Sequence, residues 1–291
     1  MKKSIFTCAI ISAIALLSAC QSAANSATYI PQKVTGLKTP ESAVQAKDGR
    51  IFVSEIGEFG KDGDGQITVI DNTGKASVFA SGLDDPKGLA IIGQNLFVAD
   101  KIKVLKISPD GKSSVFAAAS AFANTPWFLN DLEADPQGNL YVSDSGDLFK
   151  TGKGGAVYKI SADGKATLLI SEAKDARIKA PNGLLADDTG DVLIIADFAS
   201  GILYRYNQKT AVLSDIAEGF GGGDGVVHHP SGAMYVSDWK NGKVFKVTTK
   251  GDVELVKEGY QSAADIALTK DGKYLMVPDM KAGELDFIPI K

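Results

Sequence analysis

The pentapeptide Met234-Tyr235-Val236-Ser237-Asp238 decides the fold, because close variants of it recur along the chain. The other copies begin at Ile51, Leu96, Leu140, Leu193 and Leu275, and each ends in Glu or Asp. Successive copies start 45, 44, 53, 41 and 41 residues apart. β-Propeller blades repeat at about 40–50 residues, so six copies predict six blades.

Each repeat reads as short β-rich runs separated by turn residues, with no sustained apolar period of 3.6. In the fifth repeat, four such runs occupy residues 225–228, 234–237, 244–247 and 253–256. Pairs such as Asp110-Gly111 and Asp163-Gly164 supply the turns. The sequence therefore predicts an all-β protein, a six-bladed propeller with four antiparallel strands per blade.

The two ends of the repeat array are complementary. The sixth repeat lacks an outer strand, whereas residues 29–34 precede the first repeat without a partner. We predict that this N-terminal run completes the last blade, which would remove the exposed edges of an open array. Residues 29–291 are then a single propeller domain.

The first 28 residues read differently. Lys2 and Lys3 precede an apolar stretch at residues 5–17 that is short for a membrane span, as in an export signal. Residues 17–20, Leu-Ser-Ala-Cys, resemble the bacterial lipobox. We predict a signal peptide at 1–19, lipidation of Cys20 and a flexible tether at 20–28; the alternative is a conventional signal peptide with an incidental cysteine.

Composition limits the partners. The net charge is −4 and Lys and Arg are dispersed, so the sequence lacks the basic stripe that nucleic acids require. Of the two cysteines, Cys8 would leave with the signal and Cys20 would be acylated, so we expect no disulfide. Gln21 instead of Asp after the cysteine resembles lipoproteins sorted to the outer membrane. We expect a monomeric exported lipoprotein that acts on a small molecule and meets the membrane through its lipid.

Four oxygen-bearing residues occupy one position of the repeat. Each lies eight residues before a turn glycine (Gly49, Gly138, Gly190 and Gly232): Glu41, Asn130, Asn182 and Asp224. Repetition around an axis would bring these oxygens together. Two carboxylates and two amides suit a hard divalent cation, calcium first, with magnesium, manganese or zinc also possible. Asn-Gly and Asp-Gly pairs are also common turn formers, which is the alternative for any one of them.

At this position the chain resembles the senescence marker protein, gluconolactonase and luciferin-regenerating-enzyme-like family. Pro40-Glu41, Asn130-Asp131, Pro181-Asn182-Gly183 and Asp224-Gly225 match its ligand motifs. The resemblance implies a six-bladed propeller with an axial divalent cation that hydrolyses lactones or related esters. It also implies that Asp224 both binds the metal and assists proton transfer as the catalytic base.

The chain departs from the family at the third blade. Members that act on sugar lactones have Arg two residues before the third-blade Asn, where this chain has Phe128. Trp127 and Phe128 either line the pocket, which would favour a hydrophobic lactone or aryl ester, or pack between blades. Lys87, the second blade's counterpart of Asn182, either points a cation into the mouth or is a solvated lysine, and the solvated form is the favoured interpretation.

Other motifs carry less chemistry. His228 and His229 are adjacent on one predicted strand, so their side chains face opposite ways and cannot form a dyad. Residues 61–65 lack the ligand spacing of an EF-hand and predict an exposed turn. Two other function classes stay open: a non-catalytic binding module with a structural axial metal, and a strictosidine-synthase-like relative without metal chemistry, against which the four retained ligands argue.

Overall fold

The computed structural model describes residues 33–290, which form six four-stranded antiparallel sheets. The innermost strands contact one another in a ring, so the sheets are the blades of a propeller. The fold prediction is therefore confirmed. Among the described residues the only helical segment is a short 3-10 turn, Ala119–Ala121, and none is a helix long and apolar enough to cross a membrane.

The strands are given from the axis outward. Blade 1 contains β2 (Pro40–Gln45), β3 (Ile51–Glu55), β4 (Gly65–Ile70) and β5 (Ala76–Leu83). Blade 2 contains β6 (Pro86–Ile92), β7 (Asn95–Asp100), β8 (Lys103–Ile107) and β9 (Ser113–Ala117). Blade 3 contains β10 (Leu129–Ala134), β11 (Leu140–Asp144), β12 (Ala156–Ile160) and β13 (Ala166–Ser171).

The second half of the ring repeats this order. Blade 4 contains β14 (Pro181–Ala186), β15 (Val192–Asp197), β16 (Ile202–Asn207) and β17 (Val212–Glu218). Blade 5 contains β18 (Gly223–His228), β19 (Met234–Asp238), β20 (Lys243–Val247) and β21 (Val253–Glu258). Blade 6 contains β22 (Ala267–Leu268), β23 (Tyr274–Asp279), β24 (Glu284–Pro289) and β1 (Lys33–Thr35).

The ring is closed by the N-terminal strand. β1 pairs antiparallel with β24, with Lys33 opposite Asp286 and Thr35 opposite Glu284. Val34 packs into the apolar layer between blades 6 and 1, together with Met276 and Leu285. The predicted closure is therefore confirmed for the part of residues 29–34 that the structure describes; residues 29–32, Cys20, the signal and the tether lie outside it.

The apolar core is divided among the spaces between blades. Between blades 2 and 3, for example, Phe97, Leu140 and Tyr158 belong to one buried apolar cluster. The recurring pentapeptide supplies this packing, because its alternate side chains on the second strand of each blade face the two neighbouring blades. Its valine is fully buried at Val53, Val98, Val142, Val236 and Val277.

The acid that ends each pentapeptide has a structural task. These six residues, which we call the anchor acids, are Glu55, Asp100, Asp144, Asp197, Asp238 and Asp279, and all are buried. Each accepts backbone N–H groups from the segment that leads into the inner strand of its own blade. Asp197, for instance, accepts from the N–H groups of Lys179 and Ala180 at 2.8 and 3.0 Å. The anchor acids thus fix where each inner strand starts.

Candidate metal centre

The four sequence-predicted ligands occupy equivalent places. Each is the second residue of an inner strand: Glu41 in β2, Asn130 in β10, Asn182 in β14 and Asp224 in β18. The same position is Lys87 in β6 and, in blade 6, corresponds to Ala264, beside the isolated bridge of Ala263 with Asp279. All four predicted ligands line one cavity at the centre of the ring. We call these four the axial residues.

A β-bulge aims these side chains. In blade 1, Pro40 pairs with Glu55 and Ala43 with Val53, so Glu41 and Ser42 together oppose one residue. The register shifts at the same place in blades 2 to 5. Because a bulge interrupts the alternation of side chains, it re-aims one of them, here towards the axis.

The serine of the pentapeptide supports the bulge. Its hydroxyl accepts the N–H of the residue after the axial one in blades 1, 3 and 5, at 3.0, 2.9 and 2.8 Å. These serines are Ser54, Ser143 and Ser237, and all are fully buried. Sequence reasoning had used them only as repeat markers. Their recurrence next to the anchor acid was the available signal.

The glycines after three central residues are required by close packing, not by turns. A Cβ at Gly183 would lie 2.0 Å from the carbonyl oxygen of Asp224, and one at Gly225 would lie 2.3 Å from the N of Ile266. Gly88 is equally confined, 2.4 Å from the N of Leu132. Adjacent inner strands therefore touch through glycine, and the Asn-Gly and Asp-Gly pairs lie inside strands.

The chemistry of the four side chains fits a hard cation. All four are buried, with 3–4% of their surface exposed. Each has one oxygen without a hydrogen-bond partner in the structure: Glu41 Oε2, Asn130 Oδ1, Asn182 Oδ1 and Asp224 Oδ1. Buried polar atoms are ordinarily hydrogen-bonded, so four unpartnered oxygens lining one cavity need an explanation. Calcium and magnesium bind such oxygens.

The donor set is two carboxylates and two amides. No group of three or more His, Cys, Asp or Glu arranged to hold a metal occurs within residues 33–290. The fit to a cation therefore depends on the amide oxygens of Asn130 and Asn182 as much as on the carboxylates. Neutral carbonyl oxygens are ordinary calcium ligands.

The fold raises the pKa of both axial carboxyl groups. Burial raises the pKa of Glu41 well above its usual range, and the charge of Asp224 adds to the rise while Lys87 opposes it. Burial likewise raises the pKa of Asp224, with a further contribution from Asp131 and opposition from a side-chain hydrogen bond of Asn182. Without a counter-charge, ionising both groups is unfavourable.

A second tier of acids lies directly beyond the axial residues, and sequence reasoning missed its role. Asp131 follows Asn130 and accepts the N–H groups of Leu132 and Leu184 at 2.7 and 2.6 Å. Asp265 accepts the hydroxyl of Ser42 at 2.6 Å. Burial raises the pKa of Asp131 to about 6. These acids have partners, so they brace the inner strands.

The mouth of the axial cavity is apolar. The cavity has a volume of about 390 Å³, and its wall includes Phe128, Phe149, Phe198 and Trp239. Phe128 meets Phe149 edge to face at 5.5 Å between ring centroids. Trp127 does not line the cavity: it is 62% exposed and lies near Gly154. Of the two aromatic residues that the sequence offered as possible pocket residues, Phe128 lines the cavity and Trp127 does not.

Lys87 is buried in the cavity wall. Its side chain is 1% exposed, so the favoured interpretation of a solvated lysine is wrong. The Nζ donates to the carbonyl oxygen of Asp85 at 3.1 Å and lies 4.2 Å from the centroid of the Phe128 ring. Burial lowers the pKa of Lys87, while Asp85 and Glu41 oppose this. The Lys87 amino group therefore lies beside the Phe128 ring in the cavity wall.

The remaining sequence motifs lie elsewhere. His228 is exposed, and His229 bonds to Ser231 Oγ at 2.8 Å and to the carbonyl oxygen of Gly272 at 3.2 Å, away from the axial cavity. Residues 61–65 form a turn whose Lys61 and Asp62 make ion pairs on the surface. Neither motif contributes to the centre.

Comparison with solved structures shows the same architecture. A gluconolactonase from Xanthomonas campestris is 14% identical with a TM-score of 0.69, and the match covers 88% of this chain and 89% of that one. A calcium-binding protein, regucalcin from Agrobacterium tumefaciens, is 19% identical with a TM-score of 0.67, covering 84% and 82%. At these identities the matches show the fold and not the reaction.

Sequence comparison assigns the family. The protein strictosidine synthase-like 3 of Arabidopsis thaliana is 23% identical over an alignment of 233 residues, and the match covers 69% of this chain and 59% of that protein. The chain thus spans less than two thirds of the length of that relative. The sequence model of the family described as the SMP-30/gluconolactonase/LRE-like region matches residues 91–278 of this chain. These residues are more than half of the chain, and they include Asn130, Asn182 and Asp224. The chain therefore belongs to the SMP-30/gluconolactonase/LRE-like family.

Proposed function

We propose that this protein is a metal-dependent hydrolase of lactones or related esters, with one divalent cation, calcium, held by Glu41, Asn130, Asn182 and Asp224. The observation that carries the proposal is the set of four buried, unpartnered oxygens lining one apolar-mouthed cavity. Membership of a family that contains gluconolactonases supports the reaction class.

The axial residues leave room for a reaction. Calcium takes about six to eight oxygen ligands, and the four residues supply fewer, so water and substrate would complete the shell. When bound, the cation supplies polarisation of the substrate carbonyl and stabilises negative charge on its oxygen. The chain itself holds the cation's ligands rigidly, because each lies in a bulge locked between neighbouring inner strands.

Asp224 is the residue we assign as the base. Its side chain is buried in the wall of the axial cavity, where the carboxylate group can accept a proton from a water molecule. Attack of that water on the carbonyl carbon would break the ester C–O bond, and the proton would pass from Asp224 to the departing alkoxide.

Lys87 and Phe128 shape the substrate preference in this proposal. Lys87 uses one donor on the carbonyl oxygen of Asp85 and presents its charge beside Phe128 in the wall of the cavity. An oxygen-rich sugar lactone would lack the hydrogen bonds that an arginine at residue 128 offers. A hydrophobic lactone or aryl ester with one polar group near Lys87 is the better fit.

The cellular setting is a separate proposal. We propose that the protein is a monomeric lipoprotein of the outer membrane, attached through Cys20 and facing the periplasm or the cell surface. Support comes from the lipobox-like Leu17–Cys20 stretch, which lies outside the described residues. Detergent phase partitioning of the wild type and of Cys20→Ala tests it: the variant should move to the aqueous phase, and an unchanged distribution would contradict the attachment.

The reaction is tested with a panel of lactones and aryl esters. The purified protein is treated with a chelator, and calcium, magnesium, manganese and zinc are then restored one at a time. We expect turnover to disappear and to return with calcium. A protein that binds the cation and is stabilised by it, yet hydrolyses nothing with any metal, would instead be the non-catalytic binding module.

A further inference from the structure

We propose that a second groove, continuous with the axial cavity, binds an apolar chain of the substrate, and that its lysines favour an uncharged or anionic chain over a cationic one. The groove runs from the mouth over blades 6 and 1, and we call it the outer groove. Leu37, Thr39 and Lys281 line the outer groove and do not line the axial cavity. The proposal rests on the proposed function for the reacting end of the substrate.

The outer groove and the axial cavity share one wall. Phe59, Phe149, Trp239 and Met280 line both. The outer groove has a volume of about 870 Å³, against about 390 Å³ for the axial cavity. A molecule whose carbonyl lies at the axial residues therefore has an apolar path for a chain that the axial cavity cannot hold.

Two of the shared residues are unusually exposed. Phe59 is 48% exposed and Phe149 is 74% exposed, although large apolar side chains are ordinarily covered. They come from different blades, in the segments between β3 and β4 and between β11 and β12. Both therefore present apolar surface to one groove, and a bound chain would cover it.

The opposite wall is held in place. Trp239 Nε1 donates to Met280 Sδ at 3.3 Å, and the Trp239 ring lies 6.0 Å from that of Phe198. Lys281 Nζ lies 4.2 Å above the Trp239 ring. A wall whose rotamers are fixed loses little freedom when a chain binds, which favours affinity.

The charged side chains that line the outer groove, among the described residues, are all positive. Lys38 and Lys281 contact it, and no Asp or Glu is among the described residues that do. Within residues 33–290, the acids of the axial cavity wall are Glu41 and Asp224. A positively charged chain would therefore be repelled along the groove, whereas a carboxylate at the far end would meet lysine.

Binding can be measured without turnover. The chain has two tryptophans, so Trp127→Phe leaves Trp239 as the single reporter of the groove. All proteins carry Cys20→Ala, so that no attached lipid competes. Fluorescence titration with butanol, hexanol and octanol should give a Kd that falls about fourfold per methylene, as burial of each CH₂ predicts. A Kd independent of chain length would overturn the proposal.

Variants locate the binding. Phe149→Ser and Phe59→Ser alter exposed side chains, so they should leave the unfolding temperature unchanged and weaken octanol binding about tenfold or more. Leu255→Ser, an equally exposed apolar residue of β21 far from the groove, is the matched control and should change nothing. Equal binding by all four proteins would place the alkanol elsewhere and contradict the groove.

The charge preference has its own test. With chelator present, octanoate should bind more tightly than octyltrimethylammonium, and Lys281→Met should reduce the difference. Tighter binding of the cation would overturn this part.

Failure here is distinguishable from failure of the proposed function. Chain-length-dependent binding without hydrolysis supports the groove and refutes the hydrolase, while metal-restored hydrolysis of short lactones without chain-length dependence does the reverse.

Discussion

Two sets of buried acids, the axial carboxylates and the anchor acids, differ in what surrounds them. Asp224 is 3% exposed and Asp238 is 1% exposed, so burial does not separate them. Both oxygens of Asp238 accept hydrogen bonds, from the N–H groups of Gly222 and Asn241 and from Asn241 Nδ2. Asp224 Oδ1 has no partner. The chain supplies hydrogen-bond partners to both oxygens of the anchor acid, and it leaves one oxygen of the axial acid without a partner.

The anchor acids stabilise the fold, whereas the axial carboxylates mark the candidate site. A buried carboxylate that accepts several N–H groups stabilises the folded chain, whereas one that lacks partners costs stability until a cation binds. Asp100 shows an intermediate arrangement, because its Oδ2 lacks a hydrogen bond but lies 3.4 Å from Lys103 Nζ. Partners, and not burial, therefore mark the candidate site.

The variant Asp224→Asn tests the role of an axial carboxylate. We expect Asp224→Asn to lower turnover by about 10³-fold or more, because the change removes a proposed ligand of the cation together with the general base. Unfolding of the metal-free protein should need equal or greater free energy, because an unpaired buried carboxyl is removed. Steady-state kinetics and urea unfolding measure the two effects; full activity would refute the assignment.

The variant Asp197→Ala tests the structural role of an anchor acid. Asp197→Ala leaves four N–H groups, those of Lys179, Ala180, Ala199 and Ser200, without their acceptor. The free energy of unfolding should fall by about 3–5 kcal/mol. The exposed Asp188 is the matched control, and Asp188→Ala should change it by less than about 0.5 kcal/mol. A small effect at Asp197 would remove the distinction between the two sets.

Calcium should stabilise only through the axial set. At a concentration one hundred times the Kd, the wild type should gain about 2.7 kcal/mol of unfolding free energy. Glu41→Gln should lose most of this gain, and Asp238→Asn, although less stable, should keep it. Differential scanning fluorimetry with and without calcium measures both. An equal gain in all three proteins would locate the cation elsewhere.

The smallest effect concerns pH. Burial raises the pKa of Glu133 from 4.5 to about 8, and the charge of Asp131 adds to the rise. The folded state thus holds a proton that the unfolded state loses, so stability is highest below pH 4.5 and falls as pH rises through 8. Glu133→Gln should flatten this slope, by about 1 kcal/mol after allowance for solvent screening. Identical pH profiles of unfolding would contradict it.

Much of the fold could be predicted from sequence because one motif repeats. The pentapeptide that contains Val236 and Asp238 marks the same strand of every blade, and the missing outer strand of blade 6 predicted its partner. The positions of the axial residues followed from their fixed distance to the turn glycines. Repetition turns weak local signals into a spatial prediction.

The cavity wall could not be predicted in the same way. Lys87 is buried because its Nζ packs over the Phe128 ring and donates a hydrogen bond to the carbonyl oxygen of Asp85. The segments that these contacts join share no sequence pattern. The apolar mouth depends on Phe59 and Phe149 reaching it from irregular segments of different blades. Periodicity says nothing about where such segments meet, so the sequence left open whether Trp127 lines the mouth or packs between blades.

Calorimetric titration of calcium into the metal-free protein tests the central claim most directly. The account predicts one bound calcium per chain, with heat lost in Glu41→Gln and in Asp224→Asn and kept in Asp238→Asn. No binding in the wild type, or binding that both axial variants retain, would contradict it.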